Sequence, residues 1–107
     1  MDSDLRRSAR YPFYAAARIT ELQSQTSLNA RTSELSRHGC YMDMLNPFPL
    51  GTPVQIEVTH QDQTFIARGH VVYSQMNIGM GVSFDEVGDS QLPSLEKWMR
   101  DLDGNKA

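Results

Sequence analysis

Hydrophobic and polar residues alternate along most of this chain, which is the pattern of strands with one face in a core. The clearest run has Val54, Ile56 and Val58 alternating with polar neighbours. The same period of two predicts six strands, over residues 13–20, 28–33, 40–44, 54–59, 65–73 and 78–84. Their links are short and leave no room for a helical crossover, so the sheet should be antiparallel. Because such strands hide their edges best by closing, we predict an all-β fold, a six-stranded antiparallel β-barrel with one C-terminal helix.

Four positions predict irregularities within this barrel. The alternation of apolar and polar residues shifts out of register near Leu35, which indicates a bulge or a strand end. Gly69 lies inside a strand pattern and indicates a bend or a close approach of another backbone. Gly79 and Gly81 lie on the polar side of the last strand, where missing side chains would let a neighbouring element or a ligand come close.

The end of the chain changes from strand spacing to helical spacing. We predict a helix over about residues 90–103, with Gly104 as its stop. Its apolar stripe should pack on an open end of the barrel and consists of Leu92, Leu95, Trp98, Met99 and Leu102. We also expect Tyr73 and Ile78 to face the core, because each lies in phase with the apolar face of its strand.

Size and composition indicate one globular domain. The chain has 107 residues, 39% of them hydrophobic and 21% charged. This composition excludes that the chain as a whole is a disordered tail, and a chain of this length can form one core without disulfide bonds. We divide it into a flexible N-terminal arm, residues 1–10, and a barrel with its helix, residues 11–107. No apolar stretch is long enough to span a bilayer and no signal peptide is apparent. A single cysteine, Cys40, excludes an internal disulfide and is consistent with the cytoplasm.

The charge balance disfavours general binding of DNA or RNA. Ten basic against thirteen acidic residues give a formal charge of −3, whereas nucleic-acid-coating proteins are usually basic. The cations are nevertheless uneven in kind, eight arginines to two lysines. The planar guanidinium fork of arginine matches phosphate and the edge of guanine better than a lysine ammonium does.

No catalytic or metal-binding arrangement is visible. His38 and Cys40 are close in sequence, but no third or fourth ligand accompanies them. Ser36 is not in a nucleophile elbow, and no glycine loop of the phosphate-cradling type is present. We therefore expect no enzyme activity, no catalytic residue, no metal and no cofactor.

Two short segments carry the candidate binding chemistry. In the N-terminal arm, Arg6, Arg7 and Arg10 are spaced so that they can close around one anion. A second segment, residues 34–39, places a carboxylate, a hydroxyl and a glycine at a junction between a strand and a turn. Taken singly, the first is also what a solvated basic tail looks like, and the second is what an ordinary turn looks like.

Together, the two segments resemble the signatures of the PilZ domain, the bacterial receptor module for cyclic di-GMP. Residues 6–10 fit RxxxR, and Glu34, Ser36 and Gly39 follow [D/N]xSxxG except at the first position, where the family has Asp or Asn. The resemblance extends to the loop over residues 46–54, to the last two strands and to the final Leu/Trp helix. It therefore covers almost the whole chain from Arg6 to Leu102.

The resemblance implies a barrel that holds cyclic di-GMP on its outer surface, under the N-terminal arm. It assigns ligand binding to six residues, namely Arg6, Arg7, Arg10, Glu34, Ser36 and Gly39. Guanine offers the acceptors O6 and N7 to an arginine fork, and charge-assisted bonds to phosphate add strength. Glu34 keeps the acceptor pair of an Asp but is one methylene longer.

We therefore expect a stand-alone cyclic di-GMP receptor that signals to an unidentified partner protein, with no nucleic-acid partner and no membrane insertion. The alternative is a PilZ-like adaptor that does not bind the nucleotide and acts through protein–protein contacts. The departure at Glu34 keeps this alternative open.

Overall fold

The computed structural model describes residues 9–104 of the chain. It contains seven strands and one helix, α1 (Leu92–Gly104). The strands are β1 (Tyr11–Pro12), β2 (Ala16–Glu21), β3 (Ser27–Leu35), β4 (Gly39–Asp43), β5 (Pro53–His60), β6 (Gln63–Gln75) and β7 (Gly79–Glu86). Six of them correspond to the predicted strands, and the two-residue β1 extends the first.

All strand pairs are antiparallel, and the sheet closes on itself. Its order is β1-β3-β2-β5-β6-β7-β4, and an additional pairing of β3 with β4 joins the two ends of the six-stranded part. The predicted all-β fold, a six-stranded antiparallel barrel with a C-terminal helix, is therefore confirmed. Closure gives the strands inside the barrel a common core and removes the open edges at which other chains could pair.

The first predicted strand is interrupted where it runs along β3. β1 and β2 both pair with the same edge of β3. From Pro12 to Ala16 this segment advances four residues, while β3 advances three, from Glu34 to Arg31. The extra residue makes a bulge, which separates β1 from β2.

The hydroxyl of Thr32 replaces the backbone hydrogen bonds that the bulge removes. Thr32 is fully buried, and its Oγ1 accepts from the amide of Ala15 at 2.9 Å and donates to the carbonyl of Phe13 at 2.6 Å. The alternation survives across the break, since Tyr11, Phe13, Ala15 and Ala17 are all buried. The period of two therefore predicted the buried face correctly although the strand is broken.

A second bulge in β3 accounts for the phase slip near Leu35. Between Thr32 and Glu34, β3 advances two residues while β4 advances one, from Met42 to Tyr41. The extra residue turns Leu35 into the core, where it is fully buried. The predicted bulge is confirmed, and β3 also ends at Leu35.

Gly69 and Gly79 are needed because backbones approach them closely. A Cβ at Gly69 would lie 2.0 Å from the carbonyl oxygen of Ser83, and one at Gly79 would lie 2.3 Å from that of Met42. Both distances are far below any real contact of a Cβ. These findings confirm the close approach predicted at Gly69, and at Gly79 the approaching element is the neighbouring strand β4.

The prediction that Tyr73 and Ile78 face the core is wrong. The β6–β7 register shifts between Val71 and Tyr73, which turns Tyr73 to the outer surface, where it is 38% exposed. Ile78 is 56% exposed because it closes the turn before β7, with its amide bonded to the carbonyl of Gln75 at 3.0 Å. Tyr73 follows a register shift and Ile78 lies in a turn, and strict alternation does not predict the direction of a side chain at either kind of position.

Helix α1 covers one end of the barrel, as its stripe predicted. Leu95, Trp98 and Met99 are buried, and the Trp98 ring lies 5.3 Å from Phe13 and 6.1 Å from Phe65, measured between centroids. Leu92 is an exception, since it stays 40% exposed at the start of the helix. The rest of the core comes from the inner faces of the strands and includes Ile19, Leu35, Met42, Val54, Ile56, Val58, Val71, Met80 and Val82.

The predicted flexible arm, residues 1–10, lies almost wholly outside the described residues. Only Ala9 and Arg10 of it are described, and both are exposed. Within residues 9–104, no helix is both long enough and apolar enough to cross a membrane.

We predict that Thr32→Val destabilises the fold by about 1–3 kcal/mol, because it leaves the amide of Ala15 and the carbonyl of Phe13 in the bulge without their shared partner. Valine keeps the shape and the β-branching of threonine, so the loss reports on the hydroxyl. Chemical denaturation measures the change. Thr59→Val is the matched control and should be nearly neutral, because the Thr59 hydroxyl bonds an exposed Thr64 hydroxyl. Equal effects of the two variants would contradict the role of Thr32.

Candidate functional site

The short pairing of β1 with β3 brings together one residue from each candidate segment. Pro12 pairs with Glu34, and Arg10 precedes β1 by one residue. As a result, Nη1 of Arg10 lies 4.0 Å from Oε1 of Glu34, and the two side chains are 39% and 45% exposed. An ion pair this long and this exposed contributes little to stability, so both groups remain available for a ligand.

An aromatic wall stands beside this pair. On its other edge β3 pairs Glu34 with Tyr41 of β4, and the guanidinium carbon of Arg10 lies 5.7 Å from the centroid of the Tyr41 ring. The ring of Tyr73 meets that of Tyr41 edge-on, with centroids 5.8 Å apart and planes at 63°. Aromatic faces of this kind can stack on nucleobases, and a cation over one of them is attracted by its quadrupole.

Gly81 makes room for the Tyr41 ring. A Cβ at Gly81 would lie 2.9 Å from Cε1 of Tyr41 and 3.3 Å from Cβ of Tyr73. The glycine predicted to allow a close approach therefore admits a side chain of the barrel itself, the ring of Tyr41.

These residues line one groove on the outer surface of the barrel, with a volume of ≈ 380 Å³. Its floor and walls are formed by Arg10, Ser33, Glu34, Tyr41, Met42, Asp43, Tyr73, Ile78, Gly79 and Met80. At its edge, Asp43 is paired with Arg31 at 2.9 Å. The described charges around the groove therefore cancel, two arginines against two carboxylates.

Ser36 and Gly39 lie apart from the groove, in a turn that they close themselves. The hydroxyl of Ser36 accepts from the amides of His38 at 3.2 Å and Gly39 at 3.1 Å and lies 3.2 Å from the carbonyl oxygen of Gly39. Ser36 is 1% exposed. Its hydroxyl is engaged inside the turn, so what it provides in this structure is the shape of the β3–β4 link.

Two residues next to the candidate site residues hold helix α1. Arg37, next to Ser36, lies 3.4 Å from Glu96 and 3.8 Å from Asp103. Tyr11, next to Arg10, donates a hydrogen bond to the carboxylate of Asp103, and this bond raises the pKa of the Tyr11 phenol. Because neighbouring strand residues point to opposite faces, Arg10 can face the groove while Tyr11 faces the helix.

The structure thus joins Arg10 and Glu34, places Ser36 and Gly39 in the adjoining turn, and leaves Arg6 and Arg7 outside the described residues. Sequence reasoning missed Tyr41 and Tyr73. Tyr41 was detectable, since it alternates with the apolar Cys40 and Met42 and is therefore an aromatic residue on an outer face. Tyr73 was not, because its direction depends on the bulge after Val71.

The other reactive groups within residues 9–104 give no sign of a second site. Burial raises the pKa of the Cys40 thiol to about 12, so it is a neutral core thiol near pH 7. Among the described residues, no group of three histidine, cysteine or carboxylate side chains could hold a metal ion. A larger cleft, ≈ 710 Å³, lies between α1 and the β5–β6 turn, but it contains no residue of either candidate segment.

Comparison with known proteins agrees with this architecture. The sequence model of the PilZ domain matches residues 4–101. The chain is similar in structure to the PilZ domain of CeSA from a cellulose-synthesizing bacterium, with 20% identity and a TM-score of 0.68 over 94% of this chain and 100% of that one. It is also similar to the PilZ domain of YcgR from Escherichia coli with c-di-GMP, with 18% identity and a TM-score of 0.71 over 94% and 92%. The inhibitor of motility MotI/DgrA from Bacillus subtilis has 12% identity and a TM-score of 0.74, and the chain spans 52% of it.

No curated protein matches the chain in sequence. At these identities the solved structures show the shared fold. The match to the family model over almost the whole chain shows more, and the protein belongs to the PilZ domain family, a family of cyclic di-GMP-binding modules.

We predict that Ser36→Ala lowers the free energy of unfolding by about 1–3 kcal/mol, because the buried amide of Gly39 and the part-buried amide of His38 lose their acceptor. Thermal and chemical denaturation measure the loss without any ligand present. Ser27→Ala, which removes an exposed hydroxyl bonded to Thr20, serves as the control and should be nearly neutral. Unchanged stability of Ser36→Ala would contradict a structural role for this hydroxyl.

Proposed function

We propose that this protein binds cyclic di-GMP in the groove beside Arg10 and Glu34 and passes the signal to a partner protein without catalysing a reaction. The observation that carries the proposal is the meeting of the two candidate segments in one groove with an aromatic wall. Family membership supplies the ligand class, and the groove supplies the contacts.

The groove offers each of the contacts that a guanine base requires. The fork of Arg10 matches the acceptors O6 and N7. The carboxylate of Glu34 can accept from the N1–H and N2–H donors. Tyr41 and Tyr73 present ring surface for stacking, which is worth about 1–3 kcal/mol per base in single-stranded nucleic-acid complexes.

The two phosphates of the ligand need charge that the described groove does not have. Arg10 and Arg31 are balanced there by Glu34 and Asp43. A dianion therefore needs further cations, and Arg6 and Arg7 are the nearest in sequence. We propose that these two arginines supply the missing positive charge, as the resemblance of residues 6–10 to RxxxR implies.

A second candidate function is an adaptor that does not bind the nucleotide. Two observations favour it, the Glu at position 34 where the family has Asp or Asn, and the engagement of the Ser36 hydroxyl inside its own turn. In that case Arg10 and Glu34 would pair with each other instead of with a ligand. Titration with cyclic di-GMP separates the two candidates.

We predict that Arg10→Ala weakens binding of cyclic di-GMP by about 1–3 kcal/mol, the worth of one good bidentate contact to guanine. Isothermal titration calorimetry measures the affinity, and the thermal stability of the variant should stay close to that of the wild type. Arg18→Ala is the matched control, because Arg18 is an exposed arginine on β2 outside the groove. Equal affinities of Arg10→Ala and wild type would remove Arg10 from the site.

We predict that Glu34→Asp tightens binding and Glu34→Ala weakens it. An aspartate restores the length that the family motif has, whereas alanine leaves the guanine donors without an acceptor in a partly desolvated site. The same titrations measure both effects. Tighter binding by Glu34→Ala would mean that the carboxylate repels the phosphates or only pairs with Arg10. Absence of binding by wild type and both variants would favour the adaptor.

A further inference from the structure

Two segments at one end of the barrel carry exposed apolar side chains and contain no charged residue. Residues 44–56 and 71–84 contain no Asp, Glu, Lys or Arg, in a chain with 23 such residues. Seven large apolar side chains are exposed in the part of the chain that the structure describes, and five of them lie in these two segments, namely Leu45, Leu50, Tyr73, Met76 and Ile78.

Backbone hydrogen bonds bring the two segments into one surface. The amide of Asn77 donates to the carbonyl of Leu45 at 2.7 Å, and the amide of Met44 donates to the carbonyl of Ile78 at 3.4 Å. Leu45, Met76 and Ile78, which are 68%, 62% and 56% exposed, therefore lie together at the tip of the β6–β7 turn. We call these three residues the apolar tip.

Helix α1 does not reach the apolar tip. The residue before α1, Gln91, accepts from the amide of Ile66 at 2.9 Å, near the start of β6, whereas the tip follows the end of β6 at Gln75. The helix and the tip therefore occupy opposite ends of the barrel. No described residue covers the three side chains, and exposed apolar clusters on soluble proteins commonly mark interaction surfaces.

We propose that the apolar tip is a contact surface for a second copy of this chain. In a two-fold contact each residue near the axis faces its own copy, so an unpaired charge there would repel itself. The tip itself has no charged residue. The two carboxylates that line the groove together with Ile78 both face arginines, Asp43 with Arg31 at 2.9 Å and Glu34 with Arg10 at 4.0 Å. A partner of different sequence is usually guided by opposite charge, and this surface offers none.

The size of the tip predicts a weak and reversible dimer. The largest apolar patch on a typical monomer measures about 300–600 Å², and three side chains cannot exceed that range. A stable complex buries about 800 Å² per partner. The dimer should therefore dissociate in the micromolar-to-millimolar range and give monomer on dilution.

Sedimentation equilibrium of the whole chain, from micromolar to millimolar protein, tests the proposal. The run contains no nucleotide, so its outcome is independent of whether the groove binds cyclic di-GMP. We expect a monomer–dimer equilibrium for the wild type. A monomer at every concentration would overturn the proposal.

Two substitutions by serine test where the contact lies. Ile78→Ser and Leu45→Ser should each weaken association by about tenfold or more, as loss of a central apolar contact does in other interfaces. Both residues are largely exposed, so the thermal midpoint should change little. Leu92→Ser is the control, since Leu92 is an exposed leucine at the opposite end of the barrel. An equal effect of Leu92→Ser and Ile78→Ser would overturn the assignment.

A charge variant tests the two-fold symmetry itself. Asn77 has a φ of 69°, which aspartate tolerates about as well as asparagine. Asn77→Asp therefore adds one negative charge to the tip of each copy without removing apolar area. Dimerisation should weaken at low salt and recover as salt screens the repulsion. Association that is unchanged at low salt would contradict a contact between two copies of this surface.

Discussion

Closure of the barrel through β3 is the constraint on which the rest of the structure depends. β3 pairs with β1 and β2 along one edge and with β4 along the other. The strands must turn their apolar faces inward while the ring closes. This requires two bulges, one in β3 where it pairs with β4, and one between β1 and β2 where they pair with β3. The groove results from the same pairing, since β1 and β4 meet β3 from opposite sides at Glu34 and Leu35, and of these two Glu34 lines the groove.

Much of the fold could be predicted from the alternation of residues, because in a small barrel the inner face of nearly every strand is buried. Val54, Ile56 and Val58 illustrate this, since all three are fully buried as their spacing predicted. The alternation fails where an extra residue enters a strand. The bulge after Val71 turns Tyr73 outward and the turn before Gly79 exposes Ile78, and neither event leaves a mark in the period of two. By contrast, the slip before Leu35 was visible because apolar residues lie on both sides of it.

The candidate site was predictable in part, and for a different reason. Arg10 and Glu34 belong to short motifs in which spacing along the sequence carries the information, and their meeting across β1 and β3 agrees with those motifs. Ser36 belongs to the same motif as Glu34. Its side chain, however, is held by hydrogen bonds to His38 and Gly39, and these local bonds make it part of the turn instead of the groove. The aromatic wall required the three-dimensional register, because Tyr41 and Tyr73 lie on strands that are both neighbours of β7.

The candidate site depends on the absence of a Cβ at Gly81. A side chain at position 81 would collide with the ring of Tyr41. The ring therefore packs over Gly81 on the adjacent strand. A residue that does not line the groove therefore controls how closely the Tyr41 ring packs against β7. The surface available to a base is therefore shaped by the packing of the barrel as much as by the residues that would touch the base.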